Sequence, residues 1–166
     1  MSRFSYKFCF AYIYKGTEVD FSANKSFDNY SIMLEESNDS LLFTYSVFKN
    51  SGELISIDTL GSEVLSIYGN DSYVCAGTKG DGCYITLLND GGISDNFIDK
   101  LHIGDSFSVY DIYYDSENSK LLLSCGVNGV LVYNWDGKSL EASISSHILS
   151  SYAYTSKLYN GKVIIG

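Results

Sequence analysis

The chain has 166 residues, of which 45% are hydrophobic and 19% are charged, a balance that excludes an intrinsically disordered protein. Its formal net charge of -9 disfavours nucleic acid and anionic membranes as partners, because both carry negative charge. Fifteen tyrosines, nine phenylalanines and no proline favour β-strands, and no apolar segment has the length of a membrane span.

Aromatic residues alternate with other residue types near the N-terminus. The six rings are those of Phe4, Tyr6, Phe8, Phe10, Tyr12 and Tyr14. Side chains alternate between the two faces of a strand, so a strand puts all six rings on one face, whereas a helix would scatter them. We predict a strand here. We favour a core position for this stripe over a platform that stacks on sugars or bases.

The residues up to position 59 predict a degenerate first unit. After a turn at Lys15-Gly16, Val19 and Phe21 indicate a short return strand, and residues 24–29 form a polar loop. Two hairpins then follow. Their predicted turns lie at residues 37–40 and 50–52, and apolar segments at 32–34, 41–45 and 54–57 flank these turns.

From residue 60 onward a pattern of short strands recurs. One copy has strands at 64–68, 73–77 and 83–88, and the next has strands at 109–114, 121–126 and 130–133. A third copy begins at residue 158 and runs to residue 166. Ile67 and Ile112 occupy the same register, 45 residues apart, and we expect the glycines at 77, 126 and 166 to be equivalent.

These copies resemble the LVIVD-type and WD40-like repeats of β-propellers, and Asn134-Trp135-Asp136-Gly137 falls where such repeats often carry Trp-Asp. The resemblance implies an all-β fold of antiparallel blades of about 45 residues in an incomplete ring. We expect one β-repeat domain over residues 1–166, with a degenerate unit at 1–59, blades at 60–104 and 105–150, and a truncated blade at 151–166. A β-sandwich is the alternative.

The resemblance also implies a non-catalytic scaffold that binds a protein or peptide through loops at one end of the blades. The predicted contact residues are Tyr110, Tyr113, Tyr114, Trp135 and His102. Open blade edges suggest self-association. The alternatives are a fragment of a propeller enzyme whose catalytic residues lie outside this chain, and a carbohydrate-binding β-sandwich.

No residue pattern indicates an enzyme, a cofactor or a metal site. His102 and His147 fall between units, so we expect both in surface loops. Cys75 and Cys83 could form a disulfide across a hairpin, but we favour buried free thiols. The first residues are a poor signal peptide, and the compartment stays open.

Overall fold

The computed structural model describes residues 9–15, 18–26, 30–36, 43–49, 51–52, 54–70, 72–88, 100–150 and 152–166. Their regular structure is entirely β-strand, which confirms the all-β prediction. Within these ranges there is no helix with the length and apolar character needed to cross a bilayer. The chain divides into two compact units, residues 1–61 and residues 62–166.

The first unit is one five-stranded antiparallel sheet in which each strand pairs with the next along the chain. Its strands are β1 (Cys9–Lys15), β2 (Glu18–Ser26), β3 (Tyr30–Glu36), β4 (Phe43–Lys49) and β5 (Leu54–Leu60). The predicted N-terminal strand is confirmed for residues 9–15, while Phe4, Tyr6 and Phe8 lie outside the described residues.

A loop prediction and a turn prediction for this first unit have different outcomes. The loop prediction is wrong for residues 24–26, where Asn24 pairs with Met33 and the ladder to β3 overrides the low strand preference of polar residues. The turn predicted at 50–52 is confirmed by its flanking strands and by Gly52, whose N–H donates to Lys49 O at 2.8 Å.

The second unit contains two four-stranded antiparallel sheets and a hairpin. The first sheet consists of β6 (Val64–Asn70), β7 (Tyr73–Thr78), β8 (Cys83–Leu87) and β9 (Lys100–Ile103). The second sheet consists of β10 (Asp111–Asp115), β11 (Lys120–Ser124), β12 (Val130–Asn134) and β13 (Ser143–Ile148). The hairpin consists of β14 (Ser156–Tyr159) and β15 (Lys162–Ile165).

Strand β11 has apolar side chains on both faces, which explains its uninterrupted leucine sequence. Leu121 and Leu123 belong to a core cluster that joins residues of both sheets, whereas Leu122 belongs to a cluster with Val163 and Ile165 of the hairpin. Consecutive side chains of a strand point to opposite faces, so β11 contributes to both cores. Each leucine that is fully buried in this way contributes roughly 1.5–3 kcal/mol.

The pairing registers show which residues of the two sheets are equivalent. Ile67 opposes Ala76 in the first sheet and Ile112 opposes Leu123 in the second, in agreement with the predicted equivalence of Ile67 and Ile112. The same registers align residue 77 with residue 124. The predicted equivalence of the glycines at 77 and 126 is therefore wrong by two positions, because Gly77 lies within β7 whereas Gly126 lies in the turn after β11.

The three cysteines of the second unit, Cys75, Cys83 and Cys125, are buried free thiols, as predicted. Cys75 opposes Ile85 and Cys83 opposes Gly77, so the register separates the two residues of the alternative disulfide. Burial raises the pKa of the Cys125 thiol to about 12, which keeps this group protonated. The side chain of Cys9 lies outside the described residues.

Candidate functional site

The antiparallel order of the strands gives the second unit two ends with different loops. At one end, which we call the linker end, lie the turns from the second to the third strand of each sheet and the links to the next sheet, residues 104–110 and 149–155. At the other end, which we call the groove end, lie the turns from the first to the second strand of each sheet and of the hairpin. A ligand can reach side chains at either end without opening a sheet.

His102 lies on β9 at the linker end, so the prediction that it occupies a loop is wrong. Its ring stacks on that of Tyr84 at 4.2 Å with an interplanar angle of 6°, and its Nε2–H donates to Asp81 O at 2.7 Å. The Tyr84 hydroxyl donates to Asp81 Oδ2 at 2.7 Å. Burial and this bond raise the pKa of Tyr84 to about 12.

His147 has the equivalent position on β13, so its loop prediction is also wrong. Its Nε2–H donates to Asn128 O at 2.6 Å, as His102 donates to Asp81 O. Both acceptor residues precede a glycine with positive φ, Gly82 at 70° and Gly129 at 81°. The fourth strand of each sheet was not predicted, and this bond ties it to the turn between the second and third strands.

The linker end exposes five of the eight large hydrophobic side chains that are exposed among the described residues. These five are Tyr110, Val127, Leu149, Tyr152 and Tyr154. We call this set the linker-end patch. Their exposed fractions range from 40% for Tyr110 to 81% for Leu149.

Backbone contacts hold the segments that carry this patch. Ala153 forms an isolated antiparallel bridge with Gly126, with two N–H···O bonds of 2.8 Å, and its side chain is fully buried. Tyr152 and Tyr154 flank Ala153, so both project away from the core. The Tyr110 ring packs edge-on against Tyr154 at 4.9 Å and covers the Cα of Gly126, where a Cβ would come within 2.8 Å of it.

The other three predicted contact residues lie at or near the groove end. Trp135 is only 2% exposed, and its Nε1–H donates to Ser139 O at 2.8 Å. It packs edge-on against Tyr73 at 4.7 Å and Tyr114 at 5.1 Å, so it belongs to the core and offers no ring face to a partner. Tyr113 and Tyr114 are half-buried, and burial raises the pKa of Tyr114.

An open groove of about 540 Å³ lies between the first turn of the second sheet and the turn of the hairpin. Tyr113, Tyr114 and Leu158 line it together with residues 115–118 and 159–161. Every charged residue in this lining is acidic, namely Asp115 and Glu117. The groove therefore combines tyrosine rings with negative charge.

The five predicted contact residues do not form one site. Tyr113 and Tyr114 both line the groove, and Trp135 packs against Tyr114, whereas Tyr110 and His102 lie at the opposite end. The prediction missed Tyr154, which follows Tyr110 by 44 residues, close to one repeat period. It also missed Tyr159, which precedes the two-residue Asn-Gly turn and follows Tyr114 by 45 residues. Adding the repeat period to each candidate would have found both residues.

The described residues contain no group of three or more His, Cys, Asp or Glu side chains that could hold a metal ion. No family model matches the sequence, and the comparison with curated proteins finds no match.

Proposed function

We propose that this chain is a non-catalytic module of the LVIVD or WD40-like β-propeller type, and that it binds a protein or peptide partner through the linker-end patch. The single observation that carries the binding proposal is the exposure of Tyr110, Tyr152 and Tyr154 together at one end of the unit. Tyrosine is enriched among the residues that dominate the energy of protein interfaces. Exposed apolar groups that cluster mark interaction sites more often than scattered ones.

Two repeated contacts support the propeller part of this proposal. Ser66 Oγ donates to Val109 O at 2.9 Å, and Thr155 Oγ1 donates to Asp111 Oδ2 at 2.6 Å. Ser66 and Asp111 are equivalent in the two sheets, and they reach forward by 43 and 44 residues to the segment before the next sheet or hairpin. Successive blades require this kind of nearest-neighbour contact.

Site-specific photo-cross-linking tests the binding proposal. A benzophenone amino acid replaces Tyr152 or Tyr154, and in the control it replaces Ile144 of β13, which is exposed to a similar degree at 60%. Cross-linking in the native cell should yield the same protein or peptide at positions 152 and 154. Identical products at position 144, or no product at either tyrosine position, would contradict the proposal.

A second experiment tests the architecture separately. A crystal structure of the protein should show the two sheets and the hairpin arranged around a common axis. Sheets that stack as the two layers of a sandwich would refute the propeller part and leave the binding surface to be judged by the cross-linking result.

A further inference from the structure

The groove at the opposite end carries negative charge that the fold does not neutralise. Lys120 opposes Asp115 in the β10–β11 ladder, yet its Nζ donates to Asn134 Oδ1 and to Ser145 Oγ. Within the described part of the chain, Asp115 and Glu117 form no ion pair. The residues that line the groove thus include two carboxylates and no cation.

The turn itself does not require a carboxylate at position 115. Asp115 Oδ1 accepts the backbone N–H groups of Glu117 and Asn118 at 3.0 and 3.2 Å. The equivalent residue of the first sheet is Asn70, whose Oδ1 accepts the N–H groups of Ser72 and Tyr73 at 2.8 and 3.2 Å. Asp115 Oδ2 also accepts the side-chain N–H of Asn118 at 2.9 Å. A neutral amide meets the same backbone need, so the turn does not require the negative charge of Asp115.

Aromatic rings complete the groove. Tyr159 precedes the hairpin turn and is 68% exposed, and Tyr113 and Leu158 lie beside it in the lining. A cation placed over a tyrosine ring is attracted by the negative face of the ring, and a nearby carboxylate adds a charge-assisted hydrogen bond. Aliphatic stems of long basic side chains pack against such apolar surface.

We propose that this groove binds lysine or arginine side chains of a basic peptide segment, as a second site that is separate from the linker-end patch. Charge complementarity selects the occupant, because the charged lining is wholly acidic and the chain has a net charge of -9. The contacts are exposed, so binding is weak for each side chain and decreases as ionic strength rises.

An NMR titration of the full chain tests this proposal. The probe is a Gly-Lys dodecapeptide, and the matched control is the same peptide with every lysine acetylated. Amide resonances of Asn118 and Gly161 should shift with the first peptide and not with the second. Glu117→Gln and Tyr159→Ala should each weaken binding about threefold, as expected for exposed ion pairs and cation–π contacts.

Two control variants separate the groove from the general negative charge of the chain. Glu141→Gln removes the same charge from an exposed residue outside the groove, and Ile144→Ala truncates an exposed side chain of β13. Both controls should change the affinity by less than about twofold. Equal weakening by Glu117→Gln and Glu141→Gln, or equal shifts with the acetylated peptide, would overturn the proposal. Cross-linking at positions 152 and 154 is unaffected by either result, so the two sites are tested independently.

Discussion

Replacing Gly129 with alanine should destabilise the second unit by more than its backbone angle alone explains. Gly129 has φ +81°, and a Cβ there would lie 2.0 Å from Ile148 O and 2.8 Å from Ser150 N. The left-handed conformation costs an alanine about 1–2 kcal/mol. Relief of the collision requires β13 to move away from the turn, and overpacking of this kind costs about 1–3 kcal/mol more.

The control is Gly161→Ala in the hairpin turn. Gly161 has φ +71°, and no atom lies within 4 Å of its added Cβ, so this variant loses only the conformational term of about 1–2 kcal/mol. The difference between the two variants therefore isolates the collision with β13. Gly82→Ala should behave like Gly129→Ala, because its Cβ would lie 2.4 Å from Ile103 O.

Urea denaturation followed by tryptophan fluorescence measures these losses. Trp135 is the only tryptophan of the chain and is buried in the core of the second unit, so its emission reports on that unit. The unfolding midpoint of Gly129→Ala should fall clearly below that of Gly161→Ala at an unchanged denaturant slope. Equal losses in the two variants would refute the contact between the turn and β13.

Three further predictions concern buried or hydrogen-bonded groups. Tyr73→Phe should leave stability in urea unchanged or raise it by up to about 1 kcal/mol, because the Tyr73 hydroxyl is the one fully buried side-chain nitrogen or oxygen of the described residues without a hydrogen-bond partner; a loss above that size would contradict this. Cys125 should react with a thiol reagent at pH 8 only as fast as the chain unfolds, because burial raises its pKa to about 12; rapid reaction in the native state would be the opposite result. The backbone N–H groups of Lys138 and Ser139, and then the Ser139 hydroxyl, lower the pKa of Asp136. Asp136 therefore stabilises the folded state above its unfolded pKa of about 3.9, and this stabilisation is lost as the pH falls through its lower folded pKa. In urea unfolding measured from about pH 5 to 2, the free energy of unfolding of Asp136→Asn should therefore fall less than that of the unchanged chain.

The sequence predicted strands well where hydrophobic residues mark them, and it missed strands whose side chains are polar. Residues 121–123 of β11 are all leucine because both faces of this strand are buried, and this apolar run made the strand easy to find. Strand β13 is Ser-Ile-Ser-Ser-His-Ile and mostly exposed, so its composition resembles a loop. Its place in the sheet is decided by pairing with β12, which is a long-range property.

A repeat signature in the sequence would have placed the fourth strands. The dipeptide His-Ile occurs at 102–103 and at 147–148, 45 residues apart, and each copy follows an Asp-Gly or Asn-Gly turn. Only the structure shows why these dipeptides recur: the histidine bonds to the carbonyl before the glycine, and the isoleucine carbonyl lies against the glycine Cα. Glycine is required there because any side chain would collide with this carbonyl.

The site residues were harder to predict because burial, which sequence alone does not give, decides whether an aromatic side chain is available. Tyr110 and Trp135 were both predicted as contacts, but one is 40% exposed and the other 2%. Trp135 lies under Tyr114, beside Tyr73 of the neighbouring sheet. Tyr110 lies just before β10, where the chain enters the second sheet and the side chain stays partly accessible to solvent.

The topology explains why the second unit offers two chemically different surfaces. Both faces of the second sheet are occupied, one by the first sheet and the other by the hairpin, so exposed side chains collect at the strand ends. Antiparallel pairing sends alternate turns to opposite ends, and β10 separates them by about 16 Å at the usual rise of a strand. The linker-end patch consists of apolar and tyrosine side chains, whereas the groove combines tyrosine rings with the carboxylates of Asp115 and Glu117. A single partner segment cannot contact both ends without running along a whole strand. The two proposed sites can therefore be occupied at once by different ligands, and each can be altered without disturbing the other.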